Sequence, residues 1–486
     1  MVSKIYLYDI VFFILFSLIL VIFLYKKRKN LEKEGLIYLY RTKIGIKLIN
    51  KIGLGYKRII SVFGFFSVIL GYFLMGSMIY ILYRLIYISL FNPEIVQAIK
   101  VPPLMPLIPY IPEIFKITFL PPFYFSYWII AIAVVAVFHE FSHGIVARRY
   151  GIKIKTTGFG FLGPFLAAFV EPDEKRMQKK SKYEQIAVLS AGTFSNFLLS
   201  IFFFLLLVGF FKFAYSPQGV IFNTYDFEKV DISKIEMIGN IKINQSNDKL
   251  IDIINKNEIR NDVVIGNFLN LTIIKANNKV YFIDIENLKK QLNTNSSIVV
   301  LYKNSSAINN GLIGVIIEID NKKIKDSDDL AETLRKYKPG DEIKIKTKYK
   351  NEIYNYSIVL GEDPSKKGKA YLGIGYISTN RKGLFGWLSN FFNLFKKDGT
   401  NYEPIFNENF VIFIYNLIWW LSVINLSVAL ANMLPLGIFD GGRMFLLTVW
   451  AITGNKKFSE KILKIISYFI LGAFLLLMLQ WSFSIF

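Results

Sequence analysis

The chain has 486 residues, 53% of them hydrophobic and 16% aromatic, and its 58 Lys and Arg against 36 Asp and Glu give a formal net charge of +22. Disordered chains lack such hydrophobicity, and soluble enzymes lack uncharged apolar runs longer than about 20 residues, several of which occur here, so a membrane protein is expected. With no cysteine, disulfides, iron–sulfur clusters, thiolate zinc sites and cysteine nucleophiles are excluded, and all imidazole chemistry rests on His139 and His143.

The first apolar run, Ile10 to Tyr25, extends back through Ile5 to Tyr8 and is followed by Lys26, Lys27, Arg28 and Lys29. Basic residues after the run reverse the polarity of a signal peptide, which predicts a retained anchor. Further uncharged runs are Ile59 to Tyr83, Ile117 to Phe138, Ile186 to Phe211, Asn409 to Phe439 and Ile465 to Phe486. Each can cross about 30 Å of hydrocarbon at about 1.5 Å per residue. About six spans are predicted. Pro121 and Pro122 at the start of the third predict a helix from about Phe123 to Ala147, with both histidines near its end.

The loops between spans separate by charge. Residues 26–58, 148–185 and 440–464 share one side and together hold 25 basic and 8 acidic side chains. The other side receives a Pro-rich segment, 84–117, and a long insert, 212–408, with 29 basic and 24 acidic residues. The excess of Lys and Arg predicts that the first side is cytoplasmic, with both termini and the insert outside.

The insert has no long apolar run and shows period-two alternation, as in Glu342 to Lys348, so a soluble strand-rich region is expected. Its second half, about 298–378, carries Ser306-Ala307, Gly311-Leu312, a strand over Val315 to Asp320, Asp328-Asp329-Leu330 opening a helix, and Lys338-Pro339-Gly340-Asp341 before two strands. This pattern resembles a PDZ domain of the kind attached to proteases; it departs at Ser306, where Pro is usual, and at Val315, where Asp is. Residues 220–297 read only as β-rich. The predicted fold class is a polytopic α-helical membrane protein with an inserted β-rich α+β, PDZ-like region. Its domains would be 1–122 (N-terminal spans, basic loop and Pro-rich segment), 123–211 (first half of a membrane core), 212–408 (insert) and 409–486 (second half).

His139-Glu140-Phe141-Ser142-His143 sets two imidazoles at i and i+4, on one helix face, with a glutamate after the first. This is the spacing of a zinc dihistidine with Glu as general base. A tetrahedral zinc needs a third protein ligand, and with no other His or Cys it must be a carboxylate. Asp440 is the best placed. It ends the longest uncharged run, in Asn432-Met-Leu-Pro435-Leu-Gly-Ile-Phe-Asp440-Gly441-Gly442, where Pro435 and the glycines would break the helix and turn a side chain inward. The charge pattern puts Asp440 on the same side as the histidines. An Asp beside Gly-Gly also serves simply as a cap or turn residue. In the fourth span Gly192, Ser195 and Asn196 serve close helix packing or chemistry with equal weight. Residues 157–170, Gly-rich and apolar, suit a short hairpin whose edge takes an extended substrate by strand addition, or a re-entrant loop without that role.

These residues resemble the site-2 protease family of intramembrane zinc metalloproteases, through His139-Glu140-x-x-His143-Gly144, Asn432-x-x-Pro435-x-x-x-x-Asp440-Gly441-Gly442, Gly192-x-x-x-Asn196, Phe169-Val170-Glu171-Pro172 and a PDZ-type insert. The resemblance covers most of 123–455. It implies zinc ligands His139, His143 and Asp440, a catalytic base at Glu140, and substrate-holding or oxyanion-stabilising asparagines at Asn196 and Asn432. It also implies membrane-protein substrates in regulated intramembrane proteolysis, with a peptide or substrate tail at the PDZ-like region. A prenyl-protein-processing type of membrane metalloprotease, which normally takes a glutamate as third ligand, and a non-catalytic PDZ-bearing membrane adaptor are the alternatives. No motif supports nucleic-acid binding.

Overall fold

The computed structural model describes all residues except 1–3, 36, 93–104, 106, 116, 118–119, 163–164, 244–249, 257–258, 260, 262, 266–268, 294–296, 378–390, 392–394 and 486. Much of the Pro-rich segment and the end of the PDZ-like stretch thus lie outside the described residues. The chain divides into two compact units, Met1–Phe213 with Glu408–Phe486, and Ala214–Asn407.

Among the described residues the first unit holds six helices long and apolar enough to cross a membrane: Lys4–Lys27, Lys57–Phe91, Phe125–Arg149, Lys182–Ala214, Glu408–Asn432 and Lys456–Ile485. Helix satisfies every backbone polar group internally, which hydrocarbon requires. The helix with the His pair starts after Pro121 and Pro122, and its first free N–H groups are capped from another span. Asp9, buried in the first helix, accepts from Phe125 N at 2.7 Å, Ser126 N at 2.9 Å and the Tyr110 hydroxyl at 2.6 Å. The carboxylate thereby pins the first span to the third and replaces the local cap that Tyr124 cannot supply.

The basic loop after the first span is more ordered than its charge suggests. It contains strands β1 (Leu31–Glu34) and β2 (Ile37–Thr42) and a helix Ile46–Gly55. β2 pairs with β3 (Ile154–Leu162), and β3 with β4 (Phe165–Pro172), so the hairpin expected over 157–170 belongs to a four-stranded antiparallel sheet in the order β1-β2-β3-β4. Arg41 joins its strands, donating to Glu32 at 2.7 Å and Glu34 at 3.2 Å and pairing with Glu171 on β4.

The run Asn409 to Phe439, expected as one span, is two elements. The helix ends at Asn432, residues 433–439 form a turn, and a second helix, Asp440–Thr453, begins at the predicted metal ligand. The glycine pair does not break this helix but lies in its first turn. A Cβ on Gly441 would meet the Met433 backbone and one on Gly442 the Leu436 carbonyl, so both glycines let the turn fold down onto the helix start.

In the second unit two β-rich halves build two hydrophobic clusters, and the second also takes in Leu271 and Phe282 from the first sheet. One sheet contains β7 (Phe227–Asp231), β8 (Ile235–Ile238), β9 (Ile241–Lys242), β10 (Val263–Ile265), β11 (Leu269–Ala276), β12 (Lys279–Ile283) and β13 (Ile298–Lys303); its core includes Ile238, Ile254, Ile274 and Leu301. The other contains β5 (Tyr215–Val220), β14 (Val315–Ile319), β15 (Lys322–Lys323), β16 (Glu342–Tyr349), β17 (Glu352–Val359) and β21 (Thr400–Pro404), around Ile316, Ile319, Ile343 and Ile358. Short pairs β6 (Thr224–Tyr225) with β20 (Ile374–Gly375), and β18 (Gly361–Asp363) with β19 (Lys366–Tyr371), complete it.

The stretch readable from sequence only as β-rich repeats the plan of the half that follows it. Ile243 N donates to Glu236 O at 2.9 Å and, at the same spacing, Ile324 N to Ile317 O at 2.9 Å; Gly239 N donates to Ile273 O at 2.8 Å as Asp320 N does to Lys344 O at 2.9 Å. β8-β9, helix Leu250–Lys256 and β11-β12 correspond to β14-β15, helix Ser327–Leu334 and β16-β17. Both long hairpins close through two residues at positive φ, Asn277 and Asn278 in one, Lys350 and Asn351 in the other, as the twist of a two-residue hairpin demands. β13, read as the start of the PDZ-like stretch, pairs with β12 and β7 in the first sheet instead.

Candidate metal centre

Helix geometry brings His139 and His143 one above the other, and the turn at 433–439 brings Asp440 across from them. His139 Nε2 lies 3.1 Å from His143 Nε2, and Asp440 Oδ2 lies 3.2 Å from the first and 3.3 Å from the second. These are the donor atoms of the one His, Cys, Asp or Glu group among the described residues that is close enough to share a metal ion. His139 is buried and the other two are half-buried.

The outer nitrogens fix which atoms face inward. His143 Nδ1 is 2.6 Å from the Val188 carbonyl, so it carries the proton and leaves Nε2 bare. His139 Nδ1 meets the Asn196 side-chain amide at 3.0 Å. Turning that amide over lets Oδ1, which has no other hydrogen-bond partner among the described residues, accept from Nδ1–H. Two bare nitrogens and a carboxylate then converge, an arrangement that repels itself unless a cation sits among them.

The separations fit such a cation. Donors about 2.0–2.1 Å from a tetrahedral zinc stand about 3.3–3.4 Å apart, close to the 3.1, 3.2 and 3.3 Å found. The fourth helix keeps the space clear with Gly192, where a Cβ would fall 2.5 Å from His143 Nε2 and 2.7 Å from His139 Nε2. The Asn432 side-chain nitrogen stands 3.5 Å from His139 Nε2, on the inward side of the ring. Asn196 and Asn432 are therefore placed differently: Asn196 backs His139 from behind, whereas Asn432 faces the convergence of the donors.

Glu140 projects toward the hairpin, where its Oε2 accepts from Val170 N at 3.0 Å. Glu171, one residue on, turns away and accepts from the Thr156 hydroxyl at 2.6 Å as well as pairing with Arg41.

Residues 127–479 match the family model described as Peptidase family M50. The chain belongs to Peptidase family M50. The M50 match spans both histidines, Glu140 and Asp440. A curated relative, an uncharacterized protein of Methanocaldococcus jannaschii, is 31% identical over 191 residues, which take in 38% of this chain and 47% of the relative. The chain thus covers about half of that relative's length.

Three features of this M50 site escape sequence reasoning: the clearance given by Gly192, the Val188 carbonyl behind His143, and the Val170 amide on Glu140. Only the first leaves a trace, since Gly192 stands four residues before Asn196 and so on the same helix face.

Proposed function

We propose that the chain is an intramembrane zinc endopeptidase that hydrolyses peptide bonds in or near transmembrane segments of other membrane proteins, the chemistry of regulated intramembrane proteolysis. The convergence of His139 Nε2, His143 Nε2 and Asp440 Oδ2 on one point carries this reading. These three residues would hold zinc, which when bound acidifies a water and polarises a carbonyl. Glu140 takes the proton of the attacking water and delivers it to the leaving amine. Asn432, facing the donors, donates its amide to the substrate carbonyl oxygen as negative charge develops there. Asn196 holds the His139 ring in its tautomer. An aspartate at the third position favours this reading over a prenyl-protein-processing type, and the intact Glu140 favours it over an adaptor.

A helical substrate hides its peptide bonds, so it must unwind to be cut. Among the described residues β4 pairs with no strand but β3, which leaves its second edge for an extended substrate by strand addition. The charge asymmetry of the loops supports an active site toward the cytoplasm and an insert outside. There the PDZ-like half would filter substrates or capture a cut tail through its terminal carboxylate.

The test compares membrane proteomes of cells carrying the wild type and Glu140→Gln. Membrane proteins that persist full-length only with the variant support the proposal, and identical proteomes refute it.

A further inference from the structure

We infer that the backbone amide of Val170 is the positioning group for Glu140, so that the hairpin, and not the helix alone, aims the base. The inference rests on Glu140 serving as the base. A glutamate one residue from His139 has three side-chain torsions and no reason of its own to face the donors. Its Oε2 is held by Val170 N at 3.0 Å, which leaves Oε1 for a proton.

The contact depends on how close β4 comes to the helix, and Gly144 sets that distance. A Cβ there would lie 3.1 Å from Val170 Cγ1 and 3.1 Å from Ile49 Cδ1. A side chain at 144 would press on the Val170 and Ile49 side chains, which would have to give by a few tenths of an ångström, in the residue whose N–H holds the carboxylate. The glycine after His143 thus acts on the glutamate three residues before that histidine, through the strand.

The strand gives the arrangement a direction. Backbone groups of residues i and i+2 leave a strand on the same side, so with Val170 N turned to Glu140, those of Leu166 and Ala168 share that edge. Pro172, next in the series, has no N–H. The row of donors along this edge therefore ends at Val170, and its last member is taken by Glu140. An extended chain pairing with Leu166 and Ala168 leaves the edge beside the base.

Hydrogen exchange at the Val170 amide, in the full-length protein, tests the bond without recourse to activity. Glu140→Ala should speed exchange by about tenfold or more, while Glu140→Gln, whose amide oxygen still accepts, should stay within about threefold of wild type. Equal protection in wild type and Glu140→Ala, or a Gln variant as fast as the Ala variant, would overturn the inference and leave the peptidase reading standing. In a second arm the Val170 amide is replaced by an ester, which removes only the N–H. For a labelled transmembrane peptide that the wild type cleaves, kcat should fall about 10- to 100-fold with KM within about twofold. An unchanged kcat, or a loss confined to KM, would contradict the assignment.

Discussion

Asp440 Oδ2 stands 3.2 Å from His139 Nε2 although 301 residues separate the two along the chain. The contact joins two halves of a membrane core between which the whole β-rich unit is inserted. Asp440 reaches it because Gly441 and Gly442 admit the backbone of Met433 and Leu436 against the first turn of its helix.

Gly442→Ala should therefore damage the centre without altering any donor. The added methyl meets the Leu436 carbonyl, and backbone cannot yield as a flexible side chain does, so the turn must shift and carry Asp440 with it. We expect metal affinity to fall by more than about tenfold, read by competition with a zinc-sensitive dye. Wild-type affinity in this variant would show that the turn does not set the aspartate.

Gly192→Ala makes the same point from the opposite wall. Its methyl would lie 2.5 Å from His143 Nε2, where the three donor atoms converge. Metal content should drop sharply, while Gly209→Ala on the same helix, with nothing within 4 Å, should leave it as in wild type. If both substitutions were equally harmless, the fourth helix would not form part of the centre.

Asn196→Ala removes the group behind His139 Nδ1 and should weaken metal binding about 10- to 100-fold, as loss of an outer partner of a metal-bound histidine does. Asn196→Asp, which keeps an acceptor there, should recover most of it. Titration of both variants with zinc decides; an Ala variant as tight as wild type would separate Asn196 from the histidine.

How far the sequence discloses this site depends on the range of the contact. The His139–His143 pair is local, four residues apart on one helix, and needs no tertiary knowledge. The lack of another imidazole or thiolate asks only for a carboxylate, and Asp440 stands out by ending an apolar run beside Pro435 and two glycines, on the side of the histidines. Gly192 is marked in the sequence only as a small residue on the face of Asn196, and Val188 not at all, since nothing in a helix sequence says which residue of the next helix passes behind a given ring. The four-stranded sheet is hidden for the same reason: Thr42 meets Thr157 across 115 residues, and strand content in a basic loop has no signal once every third residue is charged. In the insert, the repeat escapes notice because it lives in backbone bonds such as Ile243 N to Glu236 O and Ile324 N to Ile317 O, made by unlike side chains.

The insert offers a test of its own. Asp326 caps the helix Ser327–Leu334, accepting from Asp328 N at 3.1 Å and Asp329 N at 3.0 Å, and Lys397 Nζ binds it at 2.7 Å. The Lys397 ammonium, with these amides, holds the Asp326 carboxyl below its ordinary range. A carboxyl depressed in the folded state stabilises above its unfolded value, near about 3.9, and that contribution is lost as pH falls through the folded value. Exchange protection over 327–334 should thus weaken below about pH 4 in wild type, and Asp326→Ala should show a loss of about 1 kcal/mol already at pH 7. Identical protection at pH 7 in both proteins would mean that the cap does not hold the helix.

The most direct measurement is the metal content of the purified full-length protein. Wild type should carry about one zinc per chain, and His139→Ala and Asp440→Ala should lose it while keeping their helical content. A wild type that stays metal-free after zinc reconstitution, or an Asp440→Ala variant that retains zinc as tightly as wild type, would contradict the account.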